Sequence, residues 1–336
     1  MRGPPSSTPC RSCYRSLRFI HFGGIIEQRP TRSTVGGRAY LDLQRQAKTD
    51  HRLTSEYLKL YALEGFLLRL ANSDRRNRFV LKGGVLLAAY ELRRPTADID
   101  FAALQTTNDV ETIRQDVIAI ASTHLPVDLD DGLIFDLDDV TALVIRDQDQ
   151  YRGVRVRMAV ALATARERFH IDVNVGDPIW PAPSEIQLPR LLPDRASIAL
   201  RGYPMEMVLA EKTVTALQLG IASTRWRDFG DIYQLTGQYP FDASTVRRAL
   251  EVVSIYRKVE LAALAGELDG YAALAQSRWV AWRARHDLSD RLPQAFQDVI
   301  DAVTSFADPL LTTTVTAQWD PAIRTWIEEP VPGPLD

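Results

Sequence analysis

Apolar positions along the chain recur with two periods, and the period changes near residue 200. Thr54–Ala71 places Leu58, Tyr61, Leu63, Phe66, Leu67 and Leu70 on or near one stripe, which predicts an amphipathic helix packed under a sheet. Phe79-Val80-Leu81 is a short apolar run ending in Lys82 and the turn Gly83-Gly84, with a helical composition from Val85 to Leu92. Ala97-Asp-Ile-Asp-Phe-Ala102 alternates with period two and predicts a strand. Asp109–Thr123 predicts another helix, with Ile113, Val117 and Ile120 inward. Leu133–Phe135, Ala142–Ile145, Val154–Leu162 and Phe169–Val175 read as strands, and Ser197–Leu200 as a last one. The proline-rich stretch 178–193 reads as a loop with one short edge strand.

From Pro204 onward the period is that of helices. One runs to Leu219, another contains Arg225–Tyr233, and others cover Asp242–Tyr256, Leu261–Leu274, Trp279–His286 and Pro293–Phe306, with Asp242 as an N-cap. The expected architecture is therefore α+β, a mixed-sheet domain followed by an α-helical one. Residues 1–37 lack periodicity and are expected to be a disordered extension, 38–200 the sheet domain and 201–330 the helical domain. A chain starting near Gly37 is accordingly expected to fold normally.

Composition narrows the class. The chain of 336 residues has 46% hydrophobic and 25% charged residues, an ordinary globular balance. No apolar run approaches the roughly 20 residues needed to span a bilayer, so neither a membrane role nor export is expected, and the location is expected to be cytoplasmic. A net charge of −3 excludes a broadly basic coat but not a local basic groove. The two cysteines, Cys10 and Cys13, form one CxxC with no second pair, which is too little for a zinc site or a disulfide framework. The acidic run Asp128, Asp130, Asp131, Asp136, Asp138 and Asp139 lacks calcium-loop spacing and reads as a solvated face or loop.

Candidate chemistry sits where the strand–turn–helix meets the alternating strand. Asp98 and Asp100 share one sheet face with Cα atoms roughly 6–7 Å apart, while Ile99 and Phe101 face the core. Two adjacent carboxylates repel, and a divalent cation relieves that conflict. Mg²⁺ favours one or two carboxylates completed by phosphate oxygens and water. Gly83 and Gly84, having no Cβ, let backbone N–H groups approach a phosphate. Asp172 stands mid-strand between Ile171 and Val173, where an unpaired carboxylate would be costly; its structural alternative is a pair with Arg155 or Arg157.

The order Lys82-Gly-Gly84, then Arg93-Arg-Pro-Thr-Ala-Asp-Ile-Asp-Phe101, resembles the DNA polymerase β-like nucleotidyltransferases, and in finer detail the AbiEii/AbiGii toxins of bacterial toxin–antitoxin systems. Ile171-Asp-Val-Asn-Val-Gly-Asp-Pro178, Glu206-Met-Val-Leu-Ala-Glu-Lys212 and Arg225-Trp-Arg-Asp-Phe-Gly-Asp-Ile-Tyr233 extend the likeness over about residues 38–330. It implies a Mg²⁺-dependent nucleotidyltransferase that moves a nucleoside monophosphate from an NTP to an acceptor hydroxyl. The implied metal ligands are Asp98, Asp100 and Asp172, around two Mg²⁺ ions with Mn²⁺ as a substitute. Lys82, Gly83, Gly84, Thr96, Lys212, Arg227 and Asp228 would bind nucleotide. Asp98, Asp100, Asp172, Lys212 and Asp231 would serve catalysis, with Lys212 expected to matter for activity far more than for stability. The likeness also implies a tRNA 3′ end as acceptor and a cognate antitoxin as partner. The residues alone leave a protein or small-molecule acceptor open, as they do a nucleotide-binding module without turnover. For a long RNA, the expected cationic track is Arg225, Arg227, Arg247, Arg248, Arg257 and Lys258 in the helical half.

Overall fold

The computed structural model describes residues 29–147 and 151–328. Its centre is a seven-stranded mixed sheet in the order β3-β4-β5-β2-β1-β7-β6. The strands are β1 (Phe79–Lys82), β2 (Asp98–Ala103), β3 (Leu133–Asp147), β4 (Tyr151–Leu162), β5 (Ala165–Val175), β6 (Ser184–Leu188) and β7 (Ile198–Gly202). β1 runs antiparallel to β2 and parallel to β7, and β2 runs parallel to β5. Two strands expected to be separate, Leu133–Phe135 and Ala142–Ile145, are one long β3. The acidic residues between them lie at a shift of register between Asp136 and Thr141, a bulge rather than a loop.

One face of the sheet is sealed by helices α1 (Val35–Thr49), α2 (Thr54–Ala71) and α4 (Val110–Ala121). α2 is buried nearly all round rather than along one stripe, because α1 covers its outer side. Phe66 of α2 meets Phe135 of β3 and Phe169 of β5 edge-on, at centroid distances of 6.4 and 6.3 Å. Its buried Arg69 donates to Asp131 at 2.7 and 3.1 Å. Asp131 is thus wholly buried, not part of a solvated face. The single turn α3 (Gly83–Leu86) continues into a 3₁₀ turn at Leu87–Tyr90, shorter than the helix expected to Leu92.

α1 corrects the expected start of the folded region. It begins at Val35, with Thr34 Oγ1 accepting from Gly37 N at 3.1 Å. A Cβ on Gly37 would lie 2.0 Å from the Thr31 carbonyl oxygen, so the chain entering α1 is already packed upon itself. Residues 1–28 fall outside the described residues. A chain beginning at Arg38 should therefore be less stable than one beginning at Arg29, by about 1–2 kcal/mol for the lost cap and first turn. Denaturant midpoints of the two would show it.

The second half is helical, as the change of period predicts: α5 (Met205–Leu219), α6 (Trp226–Gln238), α7 (Ala243–Arg257), the short α8 (Leu264–Glu267), α9 (Tyr271–Arg285) and α10 (Phe296–Thr312). Asp242 caps α7 as expected, accepting from Thr245 N at 2.7 Å. The tail departs from the pattern. β9 (Ala317–Asp320) and β10 (Thr325–Glu328) form a hairpin that pairs with the two-residue β8 (Phe241–Asp242). Trp319 and Trp326 anchor it, donating to the carbonyls of Thr236 at 2.7 Å and Phe306 at 2.9 Å. Among the described residues no helix is long and apolar enough to cross a membrane.

Candidate active site

The open face of the sheet carries the polar residues. In register across β1, β2, β5 and β4 stand Lys82, Asp100, Asp172 and Arg155. One step along each strand, Ile99, Phe101, Ile171 and Val173 point the other way and are fully buried. Period-two alternation puts these side chains on one face, and strand register aligns them into the row. Asp98 and His170 belong to the adjacent register position, with His170 Nε2 3.4 Å from Asp98 Oδ2.

The Gly-Gly turn and the two aspartates interlock. Gly83 has φ +68°, and a Cβ there would sit 1.9 Å from Asp100 Oδ2. Both the backbone conformation and the absence of space demand glycine. A Cβ on Gly84 would approach Thr96 Oγ1 to 2.9 Å, and that hydroxyl donates to Asp98 Oδ1 at 2.8 Å. Gly83→Ala should abolish activity and cost more than about 1 kcal/mol of stability, since a left-handed residue gains a side chain that strikes a carboxylate. Turnover and thermal melting of the purified variant check both.

The two carboxylates titrate apart. The hydrogen bond with His170, aided by Thr96 and Arg94, holds the Asp98 carboxyl down at about 2. Burial and then the neighbouring Asp98 charge push Asp100 up to about 7, with Asp172 and Glu211 adding to the effect against Lys82. No side chain among the described residues donates a hydrogen bond to Asp100. Asp98 and Asp100 thus fit a divalent cation, which would neutralise the pair. Asp172 fits less well in this arrangement, because Arg155 grips both its oxygens at 2.7 and 2.6 Å. Among the described residues no three His, Cys, Asp or Glu side chains are gathered as a ready ligand set. A three-carboxylate metal site therefore requires Arg155 to yield.

Lys82, expected to bind nucleotide, borders the cleft over this row. It is buried, and its Nζ donates to Asp177 at 2.8 Å and Glu211 at 3.2 Å. Burial opposes its charge, but Glu211, Tyr203 and Asp177 outweigh that and hold its pKa well above the usual lysine value. Lys82 thus joins β1 to α5 and to the turn that follows β5. Asp177 is consequently more than a turn residue.

Lys212 is the centre of a second network. It donates to Asp228 and, at 2.8 Å, to Asp231, rather than pairing with Glu211 on the surface. Arg94 grips Asp231 at 2.9 and 3.0 Å, and Arg225 donates to Asp228 at 2.7 Å. Burial works against the Asp228 carboxylate, but Lys212 and Arg225 keep its pKa well below the usual range. Asp228 and Asp231 therefore hold Lys212, Arg225 and Arg94 in place. Arg227, expected beside the phosphates, is exposed on α6 and absent from the cleft lining.

Above the row opens a cleft of about 410 Å³, lined by Gly83, Asp100 and Asp172 on the sheet side and by Lys212, Arg225 and Arg257 on the helical side. Sequence reasoning missed Arg94, Asp177 and Glu211 as site-building residues. All three lie within the motif segments, but their partners do not: Lys82 is 95 residues from Asp177 and 129 from Glu211, and Arg94 is 137 from Asp231.

A glycine turn closely packed on one member of an aspartate pair, at the floor of a cation-lined cleft, is the arrangement the resemblance to nucleotidyltransferases implies. The chain matches the family of the nucleotidyl transferase AbiEii toxin, type IV toxin–antitoxin system, over residues 65–317, and belongs to it. Two solved structures from Helicobacter pylori are distantly similar in fold. That of JHP933 has a TM-score of 0.41 at 16% identity, covering 72% of this chain and 87% of its own. That of a candidate nucleotidyltransferase has a TM-score of 0.39 at 16% identity, with 72% and 89% covered. Among curated proteins nothing matches.

Proposed function

We propose that the protein transfers a nucleoside monophosphate from an NTP to a terminal hydroxyl of RNA, with the 3′ end of tRNA as acceptor. The observation that carries this reading is Asp100, a carboxylate with no hydrogen-bond donor among the described residues, pressed against Gly83 beside Asp98. Such an arrangement is costly until a cation and a phosphate fill it. The acceptor oxygen bonds to the α-phosphorus, the bond to the bridging oxygen breaks, and pyrophosphate leaves. Asp172, held by Arg155 beside Asp100, takes the hydroxyl proton. The backbone at Gly83 and Gly84 receives phosphate oxygens, and Lys212, Arg225 and Arg257 surround the cleft with positive charge. A divalent cation at Asp98 and Asp100, Mg²⁺ or Mn²⁺, would supply charge compensation for the triphosphate.

Transfer to a tRNA 3′ end would block aminoacylation and stop translation, which suits a toxin restrained by its antitoxin in the cytoplasm. Incubation with each labelled NTP and total tRNA should place label on RNA and release pyrophosphate. Label on protein or on a small molecule, with none on RNA under any NTP, would replace the acceptor. No transfer and no pyrophosphate would leave only a nucleotide-binding module.

A further inference from the structure

The Gly83 turn lies on the β1 side of Asp100, and Asp172 lies on the β5 side. In displacement at phosphorus the attacking and leaving oxygens stand roughly in line. A triphosphate seated at Gly83 therefore requires the acceptor to arrive from the β5 side. What stands there is a second row of residues in register. Asp98, His170, Arg157 and Thr141 are successive partners on β2, β5, β4 and β3. A cavity of about 290 Å³ opens over this row, lined by Thr141, Arg157, His170, Arg168 and Asp139.

The cations there differ in what they are free to do. Arg155 is committed to Asp172, and Arg168 pairs with Asp139 at 3.0 Å. Arg157 is exposed and makes no ion pair among the described residues. Two strand spacings put its Cα about 10 Å from that of Asp98, close to the axial rise of about three stacked nucleotides. The helical half is less suited to the strand than its sequence suggests. Arg247 donates to Glu251 at 2.9 Å and to the Leu310 carbonyl, and Arg248 donates to Glu251 at 3.4 Å.

We propose that the Arg157–His170 row is the acceptor subsite, where Arg157 pairs with a phosphodiester a few nucleotides before the reacting 3′ end. The strand crosses β4 and β5 toward Asp98, and the helical half confines the nucleotide instead. This rests on RNA being the acceptor.

The test uses the full chain and an RNA hairpin with a single-stranded 3′ end. Its binding is followed by fluorescence anisotropy, and its labelling by steady-state kinetics. Arg157→Glu should raise both the Kd and the KM for RNA at least tenfold, with kcat at saturating RNA and the KM for NTP within about twofold. Arg157→Ala should lower the slope of log Kd against log salt by about one. Arg114→Glu, a charge reversal on α4 where Arg114 pairs with Glu111, serves as control and should bind RNA as the parent does. Unchanged RNA affinity in Arg157→Glu, or a loss confined to Arg248→Glu, would overturn the subsite while RNA labelling by the parent protein kept the proposed function. Absence of RNA labelling by the parent would instead remove the function on which the subsite rests.

Discussion

Replacing Asp100 by alanine or asparagine should abolish nucleotidyl transfer and, without divalent cation, raise the melting temperature. The sign follows from its titration. An unfolded aspartate ionises near 3.9, whereas Asp100 in the folded protein is pushed up to about 7. Ionisation thus opposes folding once the pH passes the unfolded value, and the penalty grows until the folded value is reached. At neutral pH, relief should be about 1–3 kcal/mol, discounted from the full shift because the side chain keeps some solvent contact. Below about pH 4 the variant and the parent should melt alike. Asp98→Ala should be equally inactive but should destabilise, since Asp98 is held low by His170 and Thr96 and stabilises the fold when ionised. Scanning calorimetry with and without Mg²⁺, beside turnover, separates the cases. Near-normal turnover in either variant, or a lowered melting temperature for Asp100→Asn at pH 7, would defeat the assignment.

Lys212→Ala should lower activity by orders of magnitude and also cost about 2–4 kcal/mol of stability. The sequence suggests a surface lysine whose loss the fold would tolerate. The structure instead holds it, with only 11% of its side chain exposed, between the buried Asp228 and Asp231. Removing one partner of a buried charge network leaves uncompensated carboxylates, moderated here because Arg225 and Arg94 remain. Asp228→Asn with Lys212→Ala should be more stable than Lys212→Ala alone, a coupling that denaturant titration of the double-mutant cycle measures. Full stability of Lys212→Ala would restore the surface reading.

What could be read in advance follows the range of the forces involved. Alternation and turn chemistry act over a few residues, so β1, the Gly83 turn, β2 and the cap at Asp242 were legible. So was the sharing of one face by Asp98 and Asp100. Asp172 opposite Asp100 was approachable, because its isolation among apolar neighbours demanded a partner; that the partner is Arg155 required the register of β4 on β5. Contacts made only by the fold were hidden. Lys82 with Glu211, Arg94 with Asp231 and Arg69 with Asp131 each join residues more than 60 positions apart. The C-terminal hairpin was missed because its strands are four residues each, too short for a period to declare itself.

The bulge in β3 carries a consequence for how the protein behaves at high concentration. β3 is an outer strand of the seven-stranded sheet, and Ile134, Leu143 and Val144 on it are exposed. A bare strand margin with apolar side chains invites a second chain to dock and extend the sheet. Asp136, Asp138 and Asp139 interrupt that margin midway, where Asp136 Oδ1 accepts from the backbone N–H groups of Asp138 and Asp139 at 3.2 and 3.3 Å. Those donors are already engaged within the kink, which carries three carboxylates, Asp139 being paired with Arg168, that a second copy would have to bring against its own. The acidic run thus protects solubility, keeping a long sticky margin from seeding aggregates.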